Sequence, residues 1–167
     1  MLLRPFLNDA TSCASYLFGC GTRAKLAVVD PHADLVGRLS PGERVLDLGS
    51  GAGTDSLVAA QMVGEDGHVT GIDMTPEMLS KARAAAAEMD AANVEFIESE
   101  AEQLPFPDAS FDVAISNGVI DLIPDKDAVF TEIFRVLTAG GRIQVADVTI
   151  QNPVSAEGRR NIDLWTG

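Results

Sequence analysis

The sequence predicts an α/β protein built on a doubly wound, mainly parallel sheet, with a β-hairpin in its N-terminal segment. Three observations carry this expectation. From about Asp34 onward, short apolar runs alternate with helical patterns, which is the signature of βαβ units. One of these runs, Val45–Leu48, leads directly into the turn Gly49-Ser50-Gly51-Ala52-Gly53 and then a helix. The segment before residue 34 reads instead as two strand-like runs around a turn near Gly19-Cys20-Gly21.

The elements follow in chain order. The hairpin pairs Ser12–Phe18 with Lys25–Val29, and a short helix over Asp34–Leu39 breaks at Pro41-Gly42. Core strands are expected at Arg44–Leu48, His68–Asp73, Val94–Glu98, Phe111–Ser116 and Arg142–Asp147. Each is short, apolar and bounded by Gly, Pro, Asp or Asn, the pattern of strands covered on both faces by helices. The helix Thr54–Val63 follows the glycine turn and stops at Gly64. Thr75-Pro76-Glu77 gives the next helix an N-cap, a proline at its first position and an acid in its first turn. That alanine-rich helix runs to about Ala91. A further helix starts near Pro124-Asp125, carries Val129, Ile133, Val136 and Leu137 on one face, and ends at Gly140-Gly141. Residues 155–165 carry the start of one more helical pattern.

Composition narrows the functional classes. The 167 residues fall in the single-domain range of roughly 100–200, and 46% apolar with 22% charged residues is ordinary for a soluble globular protein. A formal net charge of −13 argues against a nucleic-acid partner, because phosphate backbones select Lys and Arg. The acidity serves solubility first, and attraction of a cationic ligand second. No apolar run approaches the roughly 20 residues that span a bilayer. Met1–Phe6 lacks the basic and apolar regions of a signal peptide, so a cytoplasmic location and no membrane partner are expected. Cys13 and Cys20, with two histidines, are too few for a structural zinc site, and no metal is expected. The two cysteines read as structural.

The glycine turn carries the chemistry. Its missing side chains let backbone approach a ligand, and the amides of the following helix point toward it. Doubly wound sheets bind nucleotides at the C-terminal end of this strand. The spacing is G-x-G-x-G, with Thr54 where the dinucleotide fingerprint has its last glycine. A tight turn without a ligand is the alternative. Asp73 ends the second core strand, 20 residues after Gly53, where a carboxylate can accept hydrogen bonds from both ribose hydroxyls. Its alternative role, helix entry, is already filled by Thr75. Past the third core strand, Glu98, Glu100 and Glu102 alternate. An acid there can accept from an exocyclic adenine amine, or the three can form a solvated face.

Together, Val45–Gly53, Gly71–Met78, Glu100–Phe106, Phe111–Leu122 and Val129–Asp147 resemble the class I S-adenosylmethionine-dependent methyltransferases, whose sheet is Rossmann-like. The strings VLDLGSGAGTD, GIDMTPEMLSKAR, NVEFIESEAEQLPFPDASFDVAISNGVIDLIPDK and VFTEIFRVLTAGGRIQVADV resemble the arsenite methyltransferase branch, over roughly residues 36–166. The resemblance implies S-adenosyl-L-methionine as cofactor and S-adenosyl-L-homocysteine as product. It implies cofactor contacts from Asp47, Gly49, Ser50, Gly51 and Gly53 around the turn, and from Asp73 at the ribose. Met74, Glu100 and Ala101 would meet the adenine, and Asn117 the methionyl end. It names no catalytic residue; Asp121, near the expected substrate mouth, reads as an exposed acid at a helix start.

The sequence departs from that pattern in two places. Gly118 stands inside ISNGVI where arsenite methyltransferases have a cysteine, and trivalent arsenic needs a soft thiolate. Arsenite is therefore not the expected acceptor. The family's sheet has seven strands, and after residue 34 this sequence offers five, so a sheet truncated after its fifth core strand is expected. Residues 1–33 resemble the opening hairpin of metallo-β-lactamase-fold hydrolases of the glyoxalase II and persulfide dioxygenase group, without their histidine motif. The expectation is a gene fusion joining a hairpin segment, residues 1–33, to a methyltransferase-like domain, residues 34–167. The hairpin of this chain or of a partner would cover the fifth strand's edge, since a bare edge invites aggregation. A homodimer through the edge or an exchanged hairpin is the competing arrangement. The leading function is methyl transfer to a small molecule. A non-catalytic cofactor-binding or assembly module is the alternative, and a nicotinamide-dependent oxidoreductase is a weaker one that the glycine spacing disfavours.

Overall fold

The computed structural model describes residues 39–147 in full and, before them, the backbone of three strands. Among the described residues, eight strands, from β1 (Leu2–Asn8), β2 (Cys13–Cys20) and β3 (Lys25–Val29) to the five core strands β4 to β8 (Arg44–Leu48, His68–Asp73, Val94–Glu98, Phe111–Asn117 and Leu137–Ala146), form one sheet in the order β1-β2-β3-β8-β7-β4-β5-β6. The parallel part holds β4 (Arg44–Leu48), β5 (His68–Asp73), β6 (Val94–Glu98), β7 (Phe111–Asn117) and β8 (Leu137–Ala146). Helices α1 (Thr54–Val63), α2 (Pro76–Glu88) and α3 (Lys126–Val136) connect them. The chain runs outward from β4 through β5 to β6, then returns to the other side of β4 for β7 and β8. That reversal opens a crevice at the C-terminal strand ends, beside the glycine turn.

The near-continuous apolar strands are explained by burial on both faces. On one face Val45, Val69 and Val113 pack against Ala59, Ala60 and Val63 of α1. On the other, Leu46, Leu48, Ala114 and Ile143 pack against Val129, Ile133 and Val136 of α3. Helix α2 adds Leu79, Ala82 and Ala86 against Phe96 of β6. Gly71 lies opposite Phe96 in the β5–β6 register, and a β-carbon there would stand 2.7 Å from the Phe96 ring and 2.8 Å from Ser56 Oγ. Gly71→Ala should therefore cost roughly 1–3 kcal/mol by overpacking. A urea titration measures this, and an unchanged midpoint would show that the neighbours yield freely.

Helix ends depart from the sequence expectation. The alanine-rich helix stops at Glu88 rather than near Ala91, because Asp90 takes a left-handed conformation and the Ala91 amide donates back to Ala86 O at 3.0 Å. Helix α3 stops at Val136 rather than at the Gly140-Gly141 pair, and Leu137 already pairs with Phe111. The residues between Leu137 and Arg142 form a bulge in β8, which absorbs the glycines that look like a helix stop in sequence. The expected helices at Asp34–Leu39 and within 155–165 lie outside the described residues, apart from Leu39, which is buried.

The N-terminal segment forms a meander rather than a simple hairpin. β1 (Leu2–Asn8), β2 (Cys13–Cys20) and β3 (Lys25–Val29) are antiparallel to one another. β3 then runs parallel to β8, with Leu26–Val29 opposite Arg142–Val145. The chain's own strand thus covers the fifth core strand's edge. Pro5 interrupts the strand pattern of Leu2–Asn8 in sequence, and it is accommodated because β1 is the outermost strand. No helix among the described residues is long and apolar enough to cross a membrane.

Candidate functional site

The glycine turn is held by its own backbone and by Asp73. The Ser50 amide donates to Ile72 O at 2.8 Å, and the Gly53 amide donates to Ser50 O at 2.8 Å. At the end of β5, Asp73 accepts from the Gly51 amide at 2.9 Å through one oxygen and from the Thr75 amide at 2.8 Å through the other. Thr75 occupies the N-cap of α2 but makes no side-chain cap bond. Asp73 therefore organises the helix entry that the sequence assigns to Thr75. A carboxylate offers about four lone-pair sites, so two remain for further donors. Gly53 is required by packing, since a β-carbon there would stand 2.9 Å from Phe96 and 3.0 Å from Ala82.

Beneath the turn, Asp47 is 2% exposed and accepts from Ser56 Oγ at 2.5 Å. Burial pushes its carboxyl up to about 7, and the charges of Asp55 and Asp73 add to the rise against the lowering by Ser56.

A cleft of about 490 Å³ opens above the turn, within the range of small-molecule sites. One wall is Gly49, Ile72, Asp73 and Met74; a second is Ser99–Glu102; the third is Val119 with Leu122–Pro124. Met74 and Leu122 are 70% and 59% exposed, which is unusual for large apolar side chains and gives the cleft two apolar flanks. Of the sequence-predicted residues, Gly49, Asp73, Met74, Glu100 and Ala101 share this cleft. Gly51 reaches it through Asp73, while Ser50 and Gly53 shape the turn. Asn117 does not line it. Its amide donates to Asp55 at 3.1 Å and borders a separate pocket of about 110 Å³ with Gln144 and Val58.

Sequence reasoning missed the third wall and Ser56. The wall was legible in principle, because any segment leaving β7 at the switch point must face the crevice. Gly118 begins that segment; its amide donates to Ala146 O at 2.8 Å, and a β-carbon there would meet nothing within 4 Å.

The residues present suit a nucleoside-bearing cation. The Gly51 position is open, with nothing within 4 Å of where a β-carbon would stand. Ser50 Oγ is buried with no hydrogen-bond partner. Asp73 and Glu100 are acceptors on two walls of the same cleft.

Known proteins share this chain's sequence and fold. The methyltransferase domain family matches residues 39–165. An arsenite methyltransferase of Halobacterium salinarum is 52% identical over 129 residues, covering 77% of this chain and 33% of that protein. A demethylmenaquinone methyltransferase of Listeria monocytogenes is 38% identical over 115 residues, covering 69% and 48%. The crystal structure of an arsenic(III) S-adenosylmethionine methyltransferase from Chlamydomonas reinhardtii superposes with a TM-score of 0.70 at 43% identity, over 75% of this chain and 45% of that one. The chain thus spans half or less of the length of these relatives.

Proposed function

The chain belongs to the methyltransferase domain family, and from that premise we propose that its cleft binds S-adenosyl-L-methionine and serves methyl transfer to a small molecule. The observation that carries this reading is Asp73, which fixes the glycine turn and the α2 entry while facing the cleft. Its remaining lone pairs suit two vicinal hydroxyls. Glu100 and Ala101 stand on the wall where an adenine would be read, with Met74 as an apolar flank. The glycine turn, with Asp47 beneath it and Asn117 at the end of β7, would hold the charged methionyl end. The chemistry supplied by the bound cofactor is an electrophilic methyl group on a sulfonium, with S-adenosyl-L-homocysteine as product. The chain's own contribution is positioning.

The acceptor is a small molecule, and Gly118 counts against arsenite. Gly118 supplies no thiol at the mouth, and the chain's two cysteines are Cys13 and Cys20, in the N-terminal strands. Relatives named for acceptors as different as arsenite and demethylmenaquinone share this core, so the core itself does not dictate the acceptor.

Titration calorimetry with S-adenosylmethionine, S-adenosylhomocysteine and NAD tests the reading. The first two are expected to bind and NAD is not. Asp73→Asn should weaken both by at least about tenfold, because charge-assisted hydrogen bonds are worth about 1.5–3 kcal/mol. Failure of the unsubstituted protein to bind either adenosyl compound would refute the proposal.

A further inference from the structure

The stretch between β6 and β7, residues 99–110, contains neither helix nor strand. Loops of that length inside a compact domain are uncommon and tend to be functional. Its first part, Ser99–Glu102, forms one wall of the cleft. Its second part carries Leu104, which is 4% exposed in the core, and Phe106, whose ring meets Phe111 edge to face with centroids 5.0 Å apart. What holds the loop's path between these anchors is a pair of side chains one turn apart on α3.

Arg135 donates to Leu104 O at 3.0 Å, to Phe106 O at 2.7 Å and to Asp108 Oδ1 at 2.9 Å. It also donates to both oxygens of Glu132, each at 2.7 Å. A guanidinium has five N–H donors, and these five bonds use all of them. Glu132 completes the clasp by accepting from the Leu104 amide at 2.8 Å. The amide and carbonyl of Leu104 are thus both tied to one i, i+3 pair. The Arg135 hydrogen bonds hold the Glu132 carboxyl below the usual range, so the clasp is ionised at neutral pH. Two of the five Arg135 bonds hold backbone carbonyls two and four residues beyond the cleft wall, and the other three go to the carboxylates of Glu132 and Asp108.

We propose that Arg135, with Glu132, is the positioning residue that sets Glu100 and Ala101 for selective recognition of an adenine. This deepens the cofactor reading above and rests on it. Neither side chain lines the cleft, so each acts through the loop. A lysine cannot substitute, because an ammonium lacks the planar fork that reaches Leu104 O, Phe106 O and Glu132 together.

The test measures affinities of S-adenosylhomocysteine and S-inosylhomocysteine, which differ by the exocyclic amine, for the full chain and its variants. The unsubstituted protein should prefer the adenosyl compound. Arg135→Lys and the milder Glu132→Gln should reduce that preference by about tenfold or more, chiefly by weakening the adenosyl compound. Asp108→Ala should leave the preference unchanged, because that residue contributes no backbone hold and is 79% exposed. Equal weakening of both compounds in the variants would reduce the pair to general structural support and overturn the inference. An unchanged preference would overturn it as well. If the unsubstituted protein binds neither compound, the cofactor reading falls and takes this inference with it.

Discussion

Replacing Gly49 with alanine is expected to destabilise the fold by about 2–5 kcal/mol, and Val119→Ala is expected to restore part of that loss. Two independent costs add at this position. Gly49 has φ +69°, a left-handed conformation that costs an L-residue about 1–2 kcal/mol. Its missing β-carbon also leaves the space that Val119 fills: a β-carbon would overlap the Val119 side chain, with Cγ1 at 2.8 Å and Cβ at 2.9 Å. Overpacking of that kind costs about 1–3 kcal/mol. Shortening Val119 removes both Cγ overlaps, so it relieves part of the second cost and leaves the first. Urea titrations of the two single variants and the double variant form a thermodynamic cycle with an expected coupling of about 1–3 kcal/mol. Additive effects would show that Val119 does not press on the turn.

Asp47→Asn is expected to change how stability depends on pH. The carboxyl has a folded-state pKa of about 7 against an ordinary value of 3.8. The folded state therefore binds a proton that the unfolded state has released between these values. This contribution is fully present below about pH 4 and is lost as pH rises through about 7. A shift of roughly three units corresponds to about 4 kcal/mol. The asparagine variant keeps an oxygen for Ser56 and has no proton to lose. Its stability relative to the unsubstituted protein should rise by about 3–4 kcal/mol from pH 4 to pH 8. Denaturant titrations across that range provide the measurement, and parallel pH profiles would show that Asp47 stays ionised.

The parallel core was legible because its signals are local. Arg44–Leu48 and His68–Asp73 each stand between turn residues, and their buried apolar runs leave no amphipathic reading to compete. The helix ends were less legible, because a glycine pair in sequence looks the same whether it stops a helix or forms a bulge in a strand. Gly140-Gly141 is the second case, decided by the pairing of Leu137 with Phe111. In the cleft, Asp73 and Glu100 were readable from their positions after strand ends. The side chain of Asn117 turns to Asp55 of α1, a partner that spacing along the chain does not reveal. Val119 and Leu122–Pro124 line the cleft through the path of the backbone after β7, and no residue type marks such a path. The Arg135 clasp was invisible for a related reason: it holds the loop through the main-chain groups of Leu104 and Phe106, which every sequence has.

The pairing of β3 with β8 has a consequence for the birth of the protein on the ribosome. The register sets Leu26 opposite Arg142, so the two strands are made far apart in time. Translation at roughly 5–20 residues per second puts that interval on the order of ten seconds. Throughout it, the meander can close its two antiparallel ladders but keeps one edge of β3 open, waiting for a strand not yet synthesised. High contact order of this kind slows folding, and it leaves the β3 edge at Lys25–Val29 unpaired in the nascent chain until β8 emerges. On crowded polysomes, a neighbouring chain's β8 would be the competitor for that edge.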